Sequence, residues 1–575
     1  MKELSKGKIH SPWLVSALLL LLSFVLYGRS LNHEFAVDDY PAIVNNTLVK
    51  KGVVGIPKLV THSFYYGYDR RKEANEYRPF VSAFFALEYQ VFGSHAGWYH
   101  LLNILLYFGI LWSLFLLLKN WLDIRSALIA TILFAMVPVH SEVVLNVKAQ
   151  DDLWVCLFIL LSFQFYLKEK RNFLAWSLVF YTLAVFSKAS ALPFLLIFPS
   201  LDWLRTNKLK KQGFLFILPA ALYLIARHAF IEGVEKIDVV NNALAFSSGY
   251  SEQSAMGFAL FYQYILKLLF PYPLSWDYSY NHFALHGWMH WQSIVGLLLF
   301  LALVYLILRS WKKPTLISWL SFFFLLSIGL YLQLVILIES TFAERFLLLP
   351  SLAFVVALVV LFREKKWANG LWITLGIAWA AIVWARVPDW KNNTHLFSAD
   401  ISKVPNSTRA NTALAFNLYE RAIATENTNE KLLLESAEYY RKAINIYGND
   451  GSTWYNYGMC NLALGEYTMA ELCFKDCLRL EPEHTLAFNN LGNIQYLKGE
   501  HELAKYYYTK AIQIDPKNSE AWSNLGAEYL LSGRNDSAYY ALETAVHLDP
   551  KNENAIYNRN VVMKRLGITP TSSGQ

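Results

Sequence analysis

Pro482-Glu483-His484-Thr485-Leu486-Ala487-Phe488-Asn489-Asn490-Leu491-Gly492 returns 34 residues later as Pro516-Lys517-Asn518-Ser519-Glu520-Ala521-Trp522-Ser523-Asn524-Leu525-Gly526. Pro550 continues the proline series at the same spacing, and Gly458 precedes the two glycines by one period. Trp454, Phe488 and Trp522 open the first helix of each unit. Ala470, Ala504 and Ala538 mark a close helix contact where only a small side chain fits. A 34-residue helix pair is the tetratricopeptide period, so 451–484, 485–518 and 519–552 read as repeats. A degenerate repeat is expected over about 411–447, and Asn554 to Leu566 reads as a capping helix with a polar outer face. Stacked pairs make a concave groove suited to holding a peptide or protein; dimerisation is the competing use.

Outward from the repeats, the composition changes. The 575-residue chain is 55% hydrophobic and only 17% charged, and the apolar excess lies before residue 387. Two domains follow: a transmembrane domain over 1–387 and a repeat domain over 388–575. The formal charge of +7 forms no basic stripe in the soluble part, which argues against nucleic acid as a partner. The Lys/Arg clusters sit between apolar segments and read as topology signals. Cys156 lies in an apolar span, and Cys473 and Cys477 are four apart on an expected helix, so the cysteines read as packing residues.

Lys2, Lys6 and Lys8 precede the apolar run from Trp13 to Tyr27, and Tyr27-Gly28-Arg29-Ser30 is a poor cleavage site, so this run reads as an anchor. Further spans are expected near 99–118, 126–139, 152–167, 172–187, 189–201, 213–231, 291–308, 315–337, 345–362 and 367–386. Lys119/Arg125, Lys168 to Arg171 and Arg205 to Lys211 then fall on the cytoplasmic side. Counting Phe258 to Leu274 as a crossing would put Arg309, Lys312, Lys313 and Arg363 to Lys366 outside, so it reads as an interfacial or re-entrant helix. The expected fold is therefore all-α: a bundle of about eleven spans followed by a tetratricopeptide α-solenoid on the side of the first loop.

That side collects ionisable residues. The first loop carries Val37-Asp38-Asp39-Tyr40 and Glu76-Tyr77-Arg78-Pro79-Phe80. A second outer loop carries Pro138-Val139-His140-Ser141-Glu142 and Lys148-Ala149-Gln150-Asp151-Asp152; Ser187-Lys188 and Ala343-Glu344-Arg345-Phe346 add more charge. Ionisable groups at the mouth of a membrane bundle are functional candidates. A carboxylate can take the proton of an acceptor hydroxyl, and Arg or Lys can neutralise a departing phosphate. No GxGxxG or Walker motif appears, so a membrane-borne donor replaces a nucleotide sugar. No second His or Cys completes a metal-ligand spacing around His140, so no zinc and no cofactor is expected, while a divalent metal is left open.

In this order, and with Tyr99-His100-Leu101-Leu102-Asn103 and Asp277-Tyr278-Ser279-Tyr280-Asn281, these motifs resemble the transmembrane and tetratricopeptide-repeat O-mannosyltransferases and their bacterial homologues in the glycosyltransferase C superfamily. The resemblance implies inverting transfer of a mannose-like sugar from a polyprenyl-phosphate donor to a hydroxyl of a protein or envelope acceptor. It also implies Asp38 as general base with Asp39 orienting it, and Arg78, Lys188 and Arg345 as holders of the donor phosphate. His140, Glu142, Asp151, Asp152 and Glu344 would line the site. The expected place is a bacterial inner membrane, with the N-terminus cytoplasmic and the repeats periplasmic, holding the acceptor in their groove. Two departures stand out: bacterial relatives carry Gly-Arg-Asp-Glu where this chain has Ala149-Gln150-Asp151-Asp152, and Ser-Lys-Glu where it has Ser187-Lys188-Ala189. A non-catalytic membrane scaffold for envelope assembly is the alternative that these departures support. A transporter lacks the paired broken helices it would need.

Overall fold

A computed structural model describes residues 12–68, 76–231, 237–424 and 429–568, which form helices and turns with no strand among them. Lys2, Lys6 and Lys8 lie outside the described residues. Two compact units divide the chain, Met1–Pro405 and Asn406–Gln575. The composition change near residue 387 precedes that division because residues 388–405 pack on the membrane half. Arg386 Nη2 holds Asp400 Oδ2 at 2.7 Å, and Asn393 Oδ1 accepts the Val37 amide at 2.7 Å.

The first unit is that of a multi-pass membrane protein. Among the described residues, six helical segments are long and apolar enough to cross a bilayer: Pro12–Asn32, Ala96–Leu118, Lys211–Phe230, Trp291–Arg309, Glu344–Phe362 and Ala368–Lys391. The other segments read as spans are shorter helices: Ile124–Met136, Gln150–Tyr166, Arg171–Ser187, Leu316–Leu332, and the joined Ala189–Leu196 and Ile197–Thr206. Connections between these segments sort into two sets. In one, Arg205 pairs with Glu169 at 2.9 Å, Asn207 Nδ2 reaches Lys312 O at 2.8 Å, and Arg125 Nη2 reaches Asn369 Oδ1 at 3.0 Å. In the other, the first loop meets the 137–151 and 387–400 connections through Asp39 and Val37. The basic clusters at 168–171, 205–211 and 309–313 all belong to the first set, as a charge bias across a membrane requires.

The Tyr250–Leu269 helix touches the connection between Leu316–Gly329 and Leu348–Phe362 from both of its ends. Gln253 Nε2 donates to Gln333 O at 2.7 Å near its start, and Lys267 Nζ reaches Tyr278 OH at 3.2 Å near its end, where Tyr278 in turn bonds Glu344. The Tyr250–Leu269 helix crosses the Trp291–Arg309 helix closely at Gly296, where a Cβ would stand 1.8 Å from Phe258 O.

In the second unit the repeat periodicity has a direct packing cause. The helix pairs are Gly451–Ala463 with Tyr467–Leu480, Thr485–Leu497 with His501–Ile514, and Ser519–Leu531 with Asn535–Leu548. Thr408–Ile423 and Glu430–Ile446 precede them, and Glu553–Leu566 caps the stack. A Cβ on Gly458, Gly492 or Gly526 would lie 2.6, 2.4 or 2.6 Å from Phe474, Tyr508 or Leu542 of the second helix. Ala470, Ala504 and Ala538 are fully buried at the same contacts. The turns within the pairs place Gly465, Gly499 and Gly533 at φ +77°, +78° and +71°, a left-handed conformation that favours glycine. Asp450, His484 and Asn518 cap the first helices of the pairs through their side chains, and Asn552 does the same for Glu553–Leu566.

Candidate functional site

The first loop leaves the anchor helix through a short 3-10 turn and reverses at Val37, held at φ +48°, which is rare for a β-branched residue. Asn393 pins that turn by accepting the Val37 amide. The two following aspartates consequently meet opposite surroundings. Asp39 is fully buried; its Oδ2 accepts the Ala36 amide at 2.9 Å and its Oδ1 the Lys148 amide at 2.7 Å. Burial pushes its carboxyl up to about 7 although both donors oppose this. Asp38 keeps 29% of its side chain exposed, and its Oδ2 lies 3.8 Å from Lys148 Nζ.

Opposite this loop, the Gln150–Tyr166 helix presents Asp151 and Asp152 in its first turn, where backbone N–H groups favour negative charge. Arg78 bonds Asp151 and Glu76 together and lies 5.0 Å from the Phe64 ring. Lys188 Nζ bonds Asp152 Oδ2 at 2.6 Å and reaches Asp151 Oδ1 at 3.4 Å. Arg345 Nη1 contacts Glu142 Oε1 at 2.5 Å, its amide donates to Glu142 Oε2 at 2.9 Å, and its Nη2 reaches Ser340 Oγ at 3.3 Å. Arg345 also lies within the electrostatic reach of Asp38 and Asp152, and Asp151 within that of Lys188, Arg78, Lys148 and Arg345. Asp38, Arg78, Glu142, Asp151, Asp152, Lys188 and Arg345 are thus brought into one charge cluster.

His140 and Glu344 face elsewhere. His140 is buried with Nδ1 2.7 Å from Tyr107 OH and Nε2 2.8 Å from Ser351 Oγ, so both ring nitrogens serve helix packing. Glu344 Oε1 accepts the Ser275 amide at 2.9 Å and the Tyr278 hydroxyl, away from its neighbour Arg345. Lys148, Glu76 and Tyr65 join the cluster although none was named as a site residue from the sequence; Tyr65 is partly buried within reach of Asp38, Glu76 and Arg78. Lys148 carried a signal, since it stands in the same motif as Asp151.

The two departures from the bacterial pattern do not sit together. Gln150 is buried and donates through Nε2 to Glu88 Oε1 and Asn103 Oδ1, both at 3.0 Å, whereas Ala189 is exposed. Burial raises Glu88 to about 8, so it is protonated at neutral pH and needs no cation beside it.

Chemically, the cluster combines an accessible carboxylate with cations that are paired but close to it. Such a set can accept a proton on one side and neutralise an anion on the other.

A family model for the Cilia and flagella-associated protein 70 middle TPR-like domain matches residues 420–549. The Protein O-mannosyl-transferase F38B6.6 of Caenorhabditis elegans is 24% identical over 418 residues, covering 70% of this chain and 60% of that protein. Protein O-mannosyl-transferase TMTC1 of Homo sapiens is 33% identical over 159 residues, 27% of this chain and 18% of its own length. Protein O-mannosyl-transferase TMTC4 of Homo sapiens is 31% identical over 185 residues, 29% of this chain and 24% of its own length. Among solved structures, that of MamA is 20% identical with a TM-score of 0.25, covering 29% of this chain and 91% of MamA. That of YrrB, a TPR protein, is 21% identical with a TM-score of 0.25, covering 30% of this chain and 84% of YrrB. The matched stretches span 60% or less of the length of these curated relatives. With its helical membrane half and its trailing repeats, the chain is similar to the TMTC protein O-mannosyl-transferases over these stretches.

Proposed function

We propose that this protein is an integral membrane glycosyltransferase that moves a mannose-like sugar from a polyprenyl-phosphate donor to a hydroxyl of a polypeptide, with inversion, on the extracytoplasmic face. The observation that carries this reading is the division of labour between the two aspartates. Asp39 spends both oxygens on backbone amides and joins the first loop to the Lys148 turn, leaving Asp38 as the accessible carboxylate of the charge cluster. Asp38 takes the proton of the acceptor hydroxyl, the oxygen attacks the anomeric carbon, and the carbon–oxygen bond to the phosphate breaks. The departing polyprenyl phosphate carries its new charge to a cation.

Arg345 is the cation best placed to receive it. Its side chain is 19% exposed, against 8% for Arg78 and 10% for Lys188, and its Nη2 reaches the Ser340 hydroxyl rather than a carboxylate. Arg78 is committed to two carboxylates and clamps the first loop to the Gln150–Tyr166 helix. No metal or other cofactor is required by this chemistry. The repeat groove supplies the surface for the acceptor polypeptide. Purified protein in lipid nanodiscs, given a polyprenyl-phosphate mannose and peptide acceptors, is expected to transfer the sugar, and Asp38→Asn to abolish most of that transfer while donor binding persists. Transfer by Asp38→Asn at the unaltered rate would refute the mechanism.

A further inference from the structure

The Asp277-Tyr278-Ser279-Tyr280-Asn281 motif takes no part in the charge cluster, yet the segment that contains it walls a cleft of about 270 Å³ against the end of the Tyr250–Leu269 helix. Phe270 and Tyr272 stand at its mouth with 67% and 72% of their surface exposed, and Phe283 lies within. Hydrogen-bonding groups converge among these rings: Gln263, Lys267 and Lys403. The floor is ordered by Glu344, whose Oε1 fixes Ser275 and Tyr278.

Three features narrow the occupant. First, the cations of the cleft already hold acceptors: Lys403 Nζ sits 2.7 Å from Asp400 Oδ1 and 3.2 Å from Asp389 Oδ2, and Lys267 Nζ bonds Pro273 O at 2.6 Å and Tyr278 OH at 3.2 Å. A phosphate would have to compete with those acceptors. Second, the Gln263 amide and the remaining N–H donors of Lys267 and Lys403 make it a poor slot for an acyl chain, which could accept no hydrogen bond from them. Third, its volume falls just below the range typical of drug-sized ligands, enough for about one ring. Aromatic faces beside hydrogen-bond donors complement a molecule with apolar C–H faces and a rim of hydroxyls.

We propose that this cleft binds a neutral pyranose ring distinct from the one being transferred, as carried by a glycosylated acceptor. It adjoins the charge cluster along the chain, because Glu344 bonds Ser275 and Tyr278 of the cleft wall while the adjacent Arg345 bonds Glu142. The inference deepens the transferase reading but needs no turnover to be tested.

The test uses the full chain in lipid nanodiscs, free of alkyl-glycoside detergent, with methyl α-mannoside, methyl β-glucoside and methyl N-acetylglucosaminide as probes in saturation-transfer NMR. At least one is expected to bind, and Tyr272→Ala and Phe270→Ala are each expected to weaken it by about fivefold or more. Leu269→Ala, an exposed neighbour outside the lining, is expected to leave binding unchanged. Persistence of the bound signal when a polyprenyl-phosphate sugar saturates the protein supports a separate subsite. Displacement by that lipid overturns it and makes the cleft the donor's own sugar pocket. Absence of binding by all three probes to folded wild-type protein, or binding insensitive to both aromatic variants, also overturns the proposal. Glycoside binding in a protein that shows no transfer would separate this inference from the transferase reading.

Discussion

The repeat unit and the first-loop cluster make opposite use of their sequences. In the repeats, a glycine and the ring it admits are 16 residues apart, as in Gly458 with Phe474 and Gly492 with Tyr508, so one contact is written three times in one spacing. In the cluster, partners are remote: Asp39 meets Lys148, Arg78 meets Asp151, and Arg345 meets Glu142. Local, repeated contacts tolerate loss because each carries a share, whereas a set of single long-range pairs fails at one substitution.

The largest expected effect lies in the cluster. Asp38→Asn should lower turnover on the order of 10² to 10⁴ with thermal stability and lipid-donor affinity unchanged. Its neighbour should behave differently: Asp39→Asn turns an amide nitrogen toward a backbone N–H and should cost roughly 1–3 kcal/mol of stability. Denaturation of the two variants, followed beside sugar transfer, checks the contrast. A stability loss in Asp38→Asn and none in Asp39→Asn would break it.

Next, Arg345→Ala should leave Glu142 buried without its cation, destabilising the membrane unit by roughly 3–5 kcal/mol, and should weaken lipid-donor binding. Arg345→Lys should recover stability in part but not the bidentate hold on a phosphate. Thermal unfolding and donor titration in nanodiscs separate the two effects. Donor affinity intact in a folded Arg345→Ala protein would remove Arg345 from the phosphate site.

In the repeats a smaller effect is expected. Gly492→Ala drives a Cβ to 2.4 Å from the Tyr508 ring and should cost about 1–3 kcal/mol, without changing donor binding. Gly526→Ala should cost less, because Leu542 is a flexible side chain that can turn aside. Equal penalties at the two sites would contradict the ring-contact explanation.

The smallest effect concerns pH. Glu88 is raised by burial to about 8, so its contribution to stability is fully present below the unfolded value near 4.5 and is lost as pH rises through about 8. Asp39, raised to about 7, acts in the same direction. Gln150→Arg places a cation beside Glu88, lowers its pKa, and should flatten the dependence of the melting temperature between pH 5 and 8, shown here as roughly a one-proton difference from wild type. Parallel pH profiles for the two proteins would mean that position 150 does not face Glu88 in solution.

The sequence alone determined the elements whose causes are local or compositional. Apolar runs bounded by Lys/Arg clusters marked the membrane segments, and the 34-residue period marked the repeats and their capping helix, because hydrophobic burial and helix pairing recur at set spacings. The residue types of the site were also legible: Asp38, Arg78, Asp151, Lys188 and Arg345 stood out as charges at the mouth of an apolar bundle. Their roles were not. Only the tertiary structure showed that Asp39 is bonded to backbone, that His140 is consumed by Tyr107 and Ser351, and that Glu344 turns its back on Arg345. It alone added Lys148 and separated Gln150 from Ala189. The physical reason is that a charge takes its role from the dielectric around it and the partner that meets it, and in this bundle those partners come from other elements of the chain, as across the 203 residues that separate Arg345 from Glu142.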